Sequence, residues 1–331
     1  MVDSSADTQM DNESESLIIS LFSWPLSAFI ILANIFIIIG ILFNRKLRGT
    51  INWFFLSLLI ADLLAGGALP YIPKMAFQKN LDYCCFFRYV TTNFLFLSFL
   101  ANLLVVHYAK YTYIIQPLHY PQSWVHRWAG LYICLAWVAP LTFASLPLAW
   151  YQRNPSVNCS AKLVFSQPYL YVEIYAIIIP IIFAIAVMGI RMLCIARKQL
   201  KSIKKLLNSV NQSQTPSELE QQLELRHAKS IASISLIFLV CWVPYIVCLN
   251  ISLFLQIKGN ITLAIVNCIG TASAAVIPII LSLGNRQYTQ FWSDITTKAC
   301  QACCRRQGCK QKQANQLHGI PRSTAEHTNP N

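Results

Sequence analysis

A chain of 331 residues that is 55% apolar and only 12% charged departs from soluble domains, in which about a quarter of the residues carry charge. The net charge of +13 would suit a nucleic-acid binder, but the basic residues sit between long apolar runs, which excludes nucleic acid as the expected partner and points to a lipid bilayer. The first 16 residues are polar and acidic, with no basic start before a short apolar core, so no cleavable signal peptide is expected and the first apolar run serves as the targeting signal.

In chain order, runs long enough to cross a bilayer (about 20 mainly apolar residues) fall at 17–43, 53–73, 86–113, 128–148, 169–195, 231–255 and 261–283. Lipid offers no partner for backbone N–H and C=O groups, and the runs lack the alternation of barrel strands. The expected fold is therefore an all-α membrane protein, a bundle of seven transmembrane helices. With the N-terminus outside, the inner segments hold Arg45, Lys46, Arg48, Lys110, Arg127, the basic cluster of 191–229 and seven tail residues, twenty of the 26 Lys+Arg. The outer arm carries Asp3, Asp7, Asp11, Glu13 and Glu15 and no base. This asymmetry places the N-terminus outside and the C-terminus inside. The expected divisions are an extracellular arm (1–16), a seven-helix domain (17–284), an amphipathic interfacial helix (285–298) and a cytoplasmic tail without ordered fold (299–331).

Pro25, Pro70, Pro140, Pro147, Pro180, Pro244 and Pro278 punctuate the spans. Proline inside a helix frees a carbonyl and bends the axis. No internal repeat is visible, which disfavours an inverted-repeat transporter. Asp62 lies mid-membrane, where a carboxylate is costly and usually functional. Cys84, Cys85 and Cys159 lie outside, where disulfides persist, and the sequence does not choose the partner of Cys159. Cys300, Cys303 and Cys304 follow the last span among basic residues and suit palmitoylation; their spacing with Cys309 also admits zinc, though no ordered fold surrounds them. Asn12-Glu-Ser and Asn158-Cys-Ser are outer glycosylation sequons. The buried polar residues Asp62, Asn34, Asn102 and His107 form no zinc or nucleophile motif, so neither an enzyme nor a cofactor is expected.

Asn34 in "LANIF", Asp62 in "LSLLIADLLAG", Trp137, Pro180, Cys241-Trp242-Val243-Pro244 and Pro278 occur in this order, with Cys85 opening the third span and Cys159 in the second outer loop. Together they resemble the class A, rhodopsin-like G-protein-coupled receptors. Strings such as "FLSFLANLLVVH", "FASLPLAW", "PYLYVEIY", "CWVPY" and "TASAAVIP" are similar to the membrane bile acid receptor family within that class.

The resemblance implies a Cys85–Cys159 disulfide, a heterotrimeric G protein of the stimulatory kind as partner, and a rise in cyclic AMP. It also implies a ligand pocket lined by Tyr89, Asn93, Phe96, Glu173, Tyr245, Ser252 and Thr271. Tyr89, Asn93 and Phe96, spaced by four and three, share a helix face. Aromatic walls with a few polar contacts suit a bile acid or related steroid, with Arg88 or Lys162 near its acidic tail. Tyr169 and Tyr171 read as interfacial aromatics. An amine ligand is disfavoured, because Thr92 stands where amine receptors carry Asp.

Trp242 beside Pro244 is the expected activation switch. Ala109-Lys110-Tyr111 replaces the usual Asp-Arg-Tyr, and Glu224 is expected to pair with Lys110. Asp62 occupies the place that holds sodium in the class, although Phe99 and Ile277 replace common polar helpers. The seventh span reads Ile277-Pro278-Ile279-Ile280-Leu281 and lacks the usual tyrosine. "NRQYTQFW" after it predicts an interfacial helix with Tyr288, Phe291 and Trp292 on the membrane side. A receptor for another lipid and a small transporter are the alternatives.

Overall fold

The computed structural model describes residues 3–47, 49–71, 82–116, 119–151, 164–209, 236–251, 261–284, 288–298 and 301. Among these there is no strand. The helices are α1 (Asp3–Phe43), α2 (Thr50–Ala68), α3 (Asp82–Ile115), α4 (Ala129–Ser145), α5, α6 (Leu236–Ile251), α7 (Ile261–Gly284) and α8 (288–298). The fifth helix is continuous but changes pitch: Gln167–Tyr171 is α-helical, Val172–Ile178 is a π-helix, and Ile179–Ser209 is α-helical again. Leu21–Phe43, Thr50–Ala68, Phe86–Ile115, Ala129–Ala149 and Gln167–Ile195 are long and apolar enough to cross a membrane, and the shorter apolar helices Leu236–Ile251 and Ile265–Ile280 fall within the sixth and seventh apolar runs.

Inside the bundle, polar side chains are gathered beside a large apolar core, and large apolar side chains also face outward. Ser27, Asn34, Ser57, Asp62, Asn93, Ser98, Asn102, His107, Glu173 and Ser273 are buried, whereas Phe22, Leu32, Phe43 and Phe183 are each 65–75% exposed. A hydrocarbon surrounding makes the outward leucines and phenylalanines stable. Helix α3 is central and touches α2, α4 and α5. Trp137 on α4 donates to Ser57 Oγ on α2 (2.9 Å), which donates to Asn102 Oδ1 on α3 (2.6 Å).

Three prolines account for three further joints. In a regular helix the carbonyl of residue i accepts from the N–H of residue i+4, and proline has none. Pro70 therefore leaves Gly66 O open, and Ser27 Oγ on α1 donates to it (2.7 Å). Pro278 leaves Ala274 O open, and Asn34 Nδ2 on α1 donates to it (3.0 Å). Pro147 leaves Phe143 O without its i+4 donor; that carbonyl accepts the Leu146 N–H instead, and the Tyr169 hydroxyl on α5 donates to its second lone pair (3.3 Å). Within the second span, expected at 53–73, α2 starts at Thr50 and the turn at Leu69 and Pro70 ends its regular part at Ala68.

Helix α8 docks on α1 rather than only facing lipid. Tyr288 is 5% exposed, its hydroxyl donates to Phe36 O (3.1 Å), and Trp292 stacks on Phe36 at 3.8 Å between centroids. Gly40 permits this approach, since a Cβ there would lie 2.6 Å from the Tyr288 ring. Burial pushes the Tyr288 phenol up to about 12, so it remains a donor.

If the freed carbonyl is what Ser27 serves, Ser27→Ala leaves a buried acceptor unpaired. The expected cost is about 1–3 kcal/mol, read as a lower Tm of the purified protein. In a Pro70→Ala background the restored N–H takes over and the cost shrinks. Equal losses in both backgrounds would exclude the explanation.

Candidate functional site

The outer half of α5 presents its buried residues with an irregular step. Tyr169, Glu173, Ile174, Ile178, Ile185 and Met192 are all buried, with steps of four and seven except between Glu173 and Ile178, which are five apart and enclose the buried Ile174. The five-residue step lies in the π segment, where the Ile179 N–H donates to Ile174 O. Glu173 is thereby turned inward at 6% exposure. Asn93 on α3 lies within hydrogen-bond reach of its carboxyl, and Tyr245 on α6 lies within its electrostatic range.

Asn93 Nδ2 also donates to the Tyr169 hydroxyl (2.8 Å). The Tyr169 ring stacks on Phe143 of α4 (4.7 Å) and on Phe165 before α5 (5.3 Å, 4° between planes), with Trp150 at 5.7 Å. Phe165 in turn meets Tyr89 edge-on at 6.2 Å, and the Arg88 guanidinium lies 5.1 Å over the Tyr89 ring. The expectation that Tyr169 is an interfacial aromatic is overturned: it is 5% exposed, whereas Tyr171 is 42% exposed.

One turn deeper, Phe96 packs against Trp242 (4.7 Å) and Tyr245 (6.2 Å), and Trp242 meets Tyr245 edge-on at 5.6 Å. Phe99 and Phe238 close the cluster below Trp242 at 6.0 and 6.4 Å. Trp242 Nε1 donates to Ser273 Oγ (2.9 Å), which donates to Gly270 O (2.6 Å). Gly270 gives the indole its place on α7: a Cβ there would stand 3.0 Å from the ring.

The expected lining thus divides. Asn93 and Glu173 come together with Tyr245 in range, Phe96 joins Tyr245 and Trp242, and Tyr89 joins through Phe165. Thr271 is half-buried, with its hydroxyl donating to Asn267 O of its own helix (2.8 Å). Ser252 lies outside the described residues, as do Cys159, Asn158, Glu224, Cys300, Cys303 and Cys304; Asn12 and Cys85 are described only as helical backbone. The sequence reading missed Phe165 and Phe143 and the inward place of Tyr169, whose signal was its four-residue spacing from Glu173.

At the inner end, Lys110 borders a cleft of about 20 Å³ with Asn52, Val106, Ser282 and Tyr288. Tyr111 accepts a hydrogen bond from Arg191 Nη1 of α5 (3.2 Å). Between the two levels, Asp62 is fully buried. Both its carboxylate oxygens, Asn34 Oδ1 and Ser98 Oγ are buried without a hydrogen-bond partner. Orphaned oxygens of this kind suit a hard cation, which takes oxygen ligands and supplies positive charge.

The family model for the 7 transmembrane receptor (rhodopsin family) matches residues 33–281. The chain is 39% identical to the G-protein coupled bile acid receptor 1 of Rattus norvegicus over 277 residues, 82% of each chain. The proteins of that name from Bos taurus and Homo sapiens are 40% and 39% identical over the same shares.

Gly270→Ala sets a methyl against the Trp242 indole. Overpacking of this kind costs about 1–3 kcal/mol, and the expected result is a lower Tm with the Trp242–Ser273 bond lost. A variant as stable as the parent would show that the indole has room to retreat.

Proposed function

The chain belongs to the rhodopsin family of seven-transmembrane receptors, and from that premise we propose that its ligand is a bile acid or related steroid bound at the outer end of the bundle. As a family member it is a multi-pass plasma-membrane receptor and not an enzyme. The proposed partner on the inner side is a heterotrimeric G protein of the stimulatory kind, with cyclic AMP as the output.

The observation that carries the proposal is the buried Glu173 carboxyl beside Asn93, above an aromatic wall that ends on Trp242. An apolar steroid body matches the Phe96, Tyr245 and Trp242 wall. A hydroxyl on that body finds acceptors and donors in Glu173, Asn93 and Tyr245, and Arg88 over Tyr89 offers a cation for an acidic tail near the mouth. Ser252 and Thr271 complete the proposed lining. The relatives' name, bile acid receptor, supports the same ligand class.

Signal transfer is proposed to run through Trp242. A large ring beside Pro244, held by one hydrogen bond and a glycine face, has two packings for a ligand to select between. Asp62, Asn34 and Ser98 are the residues that would hold sodium. Lys110 and Glu224 form the proposed inner latch, with Tyr111 and Arg191 joining α3 to α5 beside it. A Cys85–Cys159 disulfide, glycans at Asn12 and Asn158, and acyl chains on Cys300, Cys303 and Cys304 belong to the same reading. So does the division into an outer arm of 1–16, a seven-helix domain of 17–284, the interfacial helix and the tail.

Cells expressing the chain should raise cyclic AMP when given bile acids or bile alcohols. Glu173→Gln and Tyr245→Phe should each weaken a hydroxylated agonist roughly tenfold, the worth of one buried hydrogen bond. A well-expressed parent that responds to another lipid but to no bile acid would displace the ligand assignment and leave the receptor assignment intact.

Agonist potency should also depend on sodium. Replacing sodium with a bulky organic cation at constant ionic strength should shift the parent's dose–response curve, and Asp62→Asn should abolish the shift. A parent indifferent to sodium would remove the ion from the reading.

A further inference from the structure

We propose that Tyr169 is a positioning residue that sets the orientation of the Asn93 amide and, through it, the receptor's preference for a ligand hydroxyl. The proposal rests on the outer-end ligand site but assigns a residue that the site's lining did not include.

The Tyr169 hydroxyl has one proton and it goes to Phe143 O (3.3 Å); the same oxygen accepts from Asn93 Nδ2 (2.8 Å). With its proton committed and its ring buried between Phe143 and Phe165, Tyr169 has nothing left to donate to a ligand. Whatever it does to ligand selection must pass through Asn93. A primary amide has two N–H groups and one carbonyl in a fixed plane. Once one N–H is committed to Tyr169, the plane is set. The second N–H is then available to Glu173, which lies within reach, and Oδ1 is left as an acceptor for a hydroxyl.

The hydroxyl is itself fixed from behind. Pro147 deprives Phe143 O of an i+4 donor, and this carbonyl holds the phenol in place. The four-residue spacing of Tyr169 and Glu173 keeps both on one face of α5, Tyr169 just before the wide turn and Glu173 in its first residues. A phenylalanine at 169 would keep both ring stacks and lose only the hydroxyl, freeing the amide to rotate and to present N–H or C=O alike. Sites that hold a polar group in one orientation discriminate strongly against ligands lacking its partner.

The test uses two readouts. On cells with matched surface expression, Tyr169→Phe is compared with the parent using a pair of agonists that differ by one hydroxyl, taken from whichever lipid class activates the parent. The expected result is a potency ratio that falls roughly tenfold toward unity, with the deoxy partner's potency little changed. Tyr169→Phe should have no further effect on the ratio in an Asn93→Ala background. Equal weakening of both agonists would reduce Tyr169 to a packing residue and overturn the proposal.

The second readout needs no ligand. Tm is measured for the purified parent, Tyr169→Phe, Asn93→Ala and the double variant. Non-additive losses, the double being no worse than the weaker single, support the coupling, and additive losses overturn it. Failure of every bile acid on the parent would discard the ligand assignment, and the Tm cycle would then decide the role of Tyr169 alone.

Discussion

A carbonyl without a donor is costly in hydrocarbon, and behind three of this chain's prolines the carbonyl that lost its i+4 donor accepts from a side chain of a neighbouring helix. Ser27 answers Pro70, Asn34 answers Pro278 and Tyr169 answers Pro147. The three bonds tie α1 to α2, α1 to α7 and α4 to α5. Lipid supplies little hydrophobic force between helices, so such joints, with close packing, define how the bundle assembles. The prolines read first as kinks are here the acceptor sites of the tertiary structure.

The arrangement around Glu173 follows from the same joints. The α4–α5 joint fixes Tyr169, which holds Asn93, which faces Glu173. On the far side, Ser273 and Gly270 hold Trp242 against α7. The polar and aromatic groups between these two supports are therefore carried on braced helices, while the indole rests on a single hydrogen bond.

Much of the fold was legible, because apolar run length reports bilayer thickness directly and needs no tertiary information. The spans at 17–43, 86–113 and 169–195 correspond to helices in the structure, and the basic residues gave the orientation. Asn34, Asp62 and Trp242 stood out because polar or large residues at membrane depth are few. The second span holds a turn at Leu69 and Pro70 that hydropathy does not register, since both residues are apolar in character. Tyr169 was misread for a physical reason: tyrosine at the end of an apolar run is equally at home at the lipid–water boundary and in a packed core. Phe143 and Phe165, which decide between the two, come from other parts of the chain. The π segment was also invisible, because a five-residue step looks like an interruption of the helical period rather than part of it. Glu173 was found through resemblance, not periodicity.

The wide turn at Val172–Ile178 holds one residue more than an α-helix would use over the same length. Each residue of an α-helix corresponds to about 100° of rotation. Removing that one residue, whether by deletion or by passing the surplus along the helix, would swing Tyr169 and Glu173 away from Asn93 while leaving Ile178, Ile185 and Met192 in register. The outer end of α5 is in effect a dial mounted on a stationary shaft, and the chain's chemistry at the membrane's outer surface depends on the notch at which that dial is set.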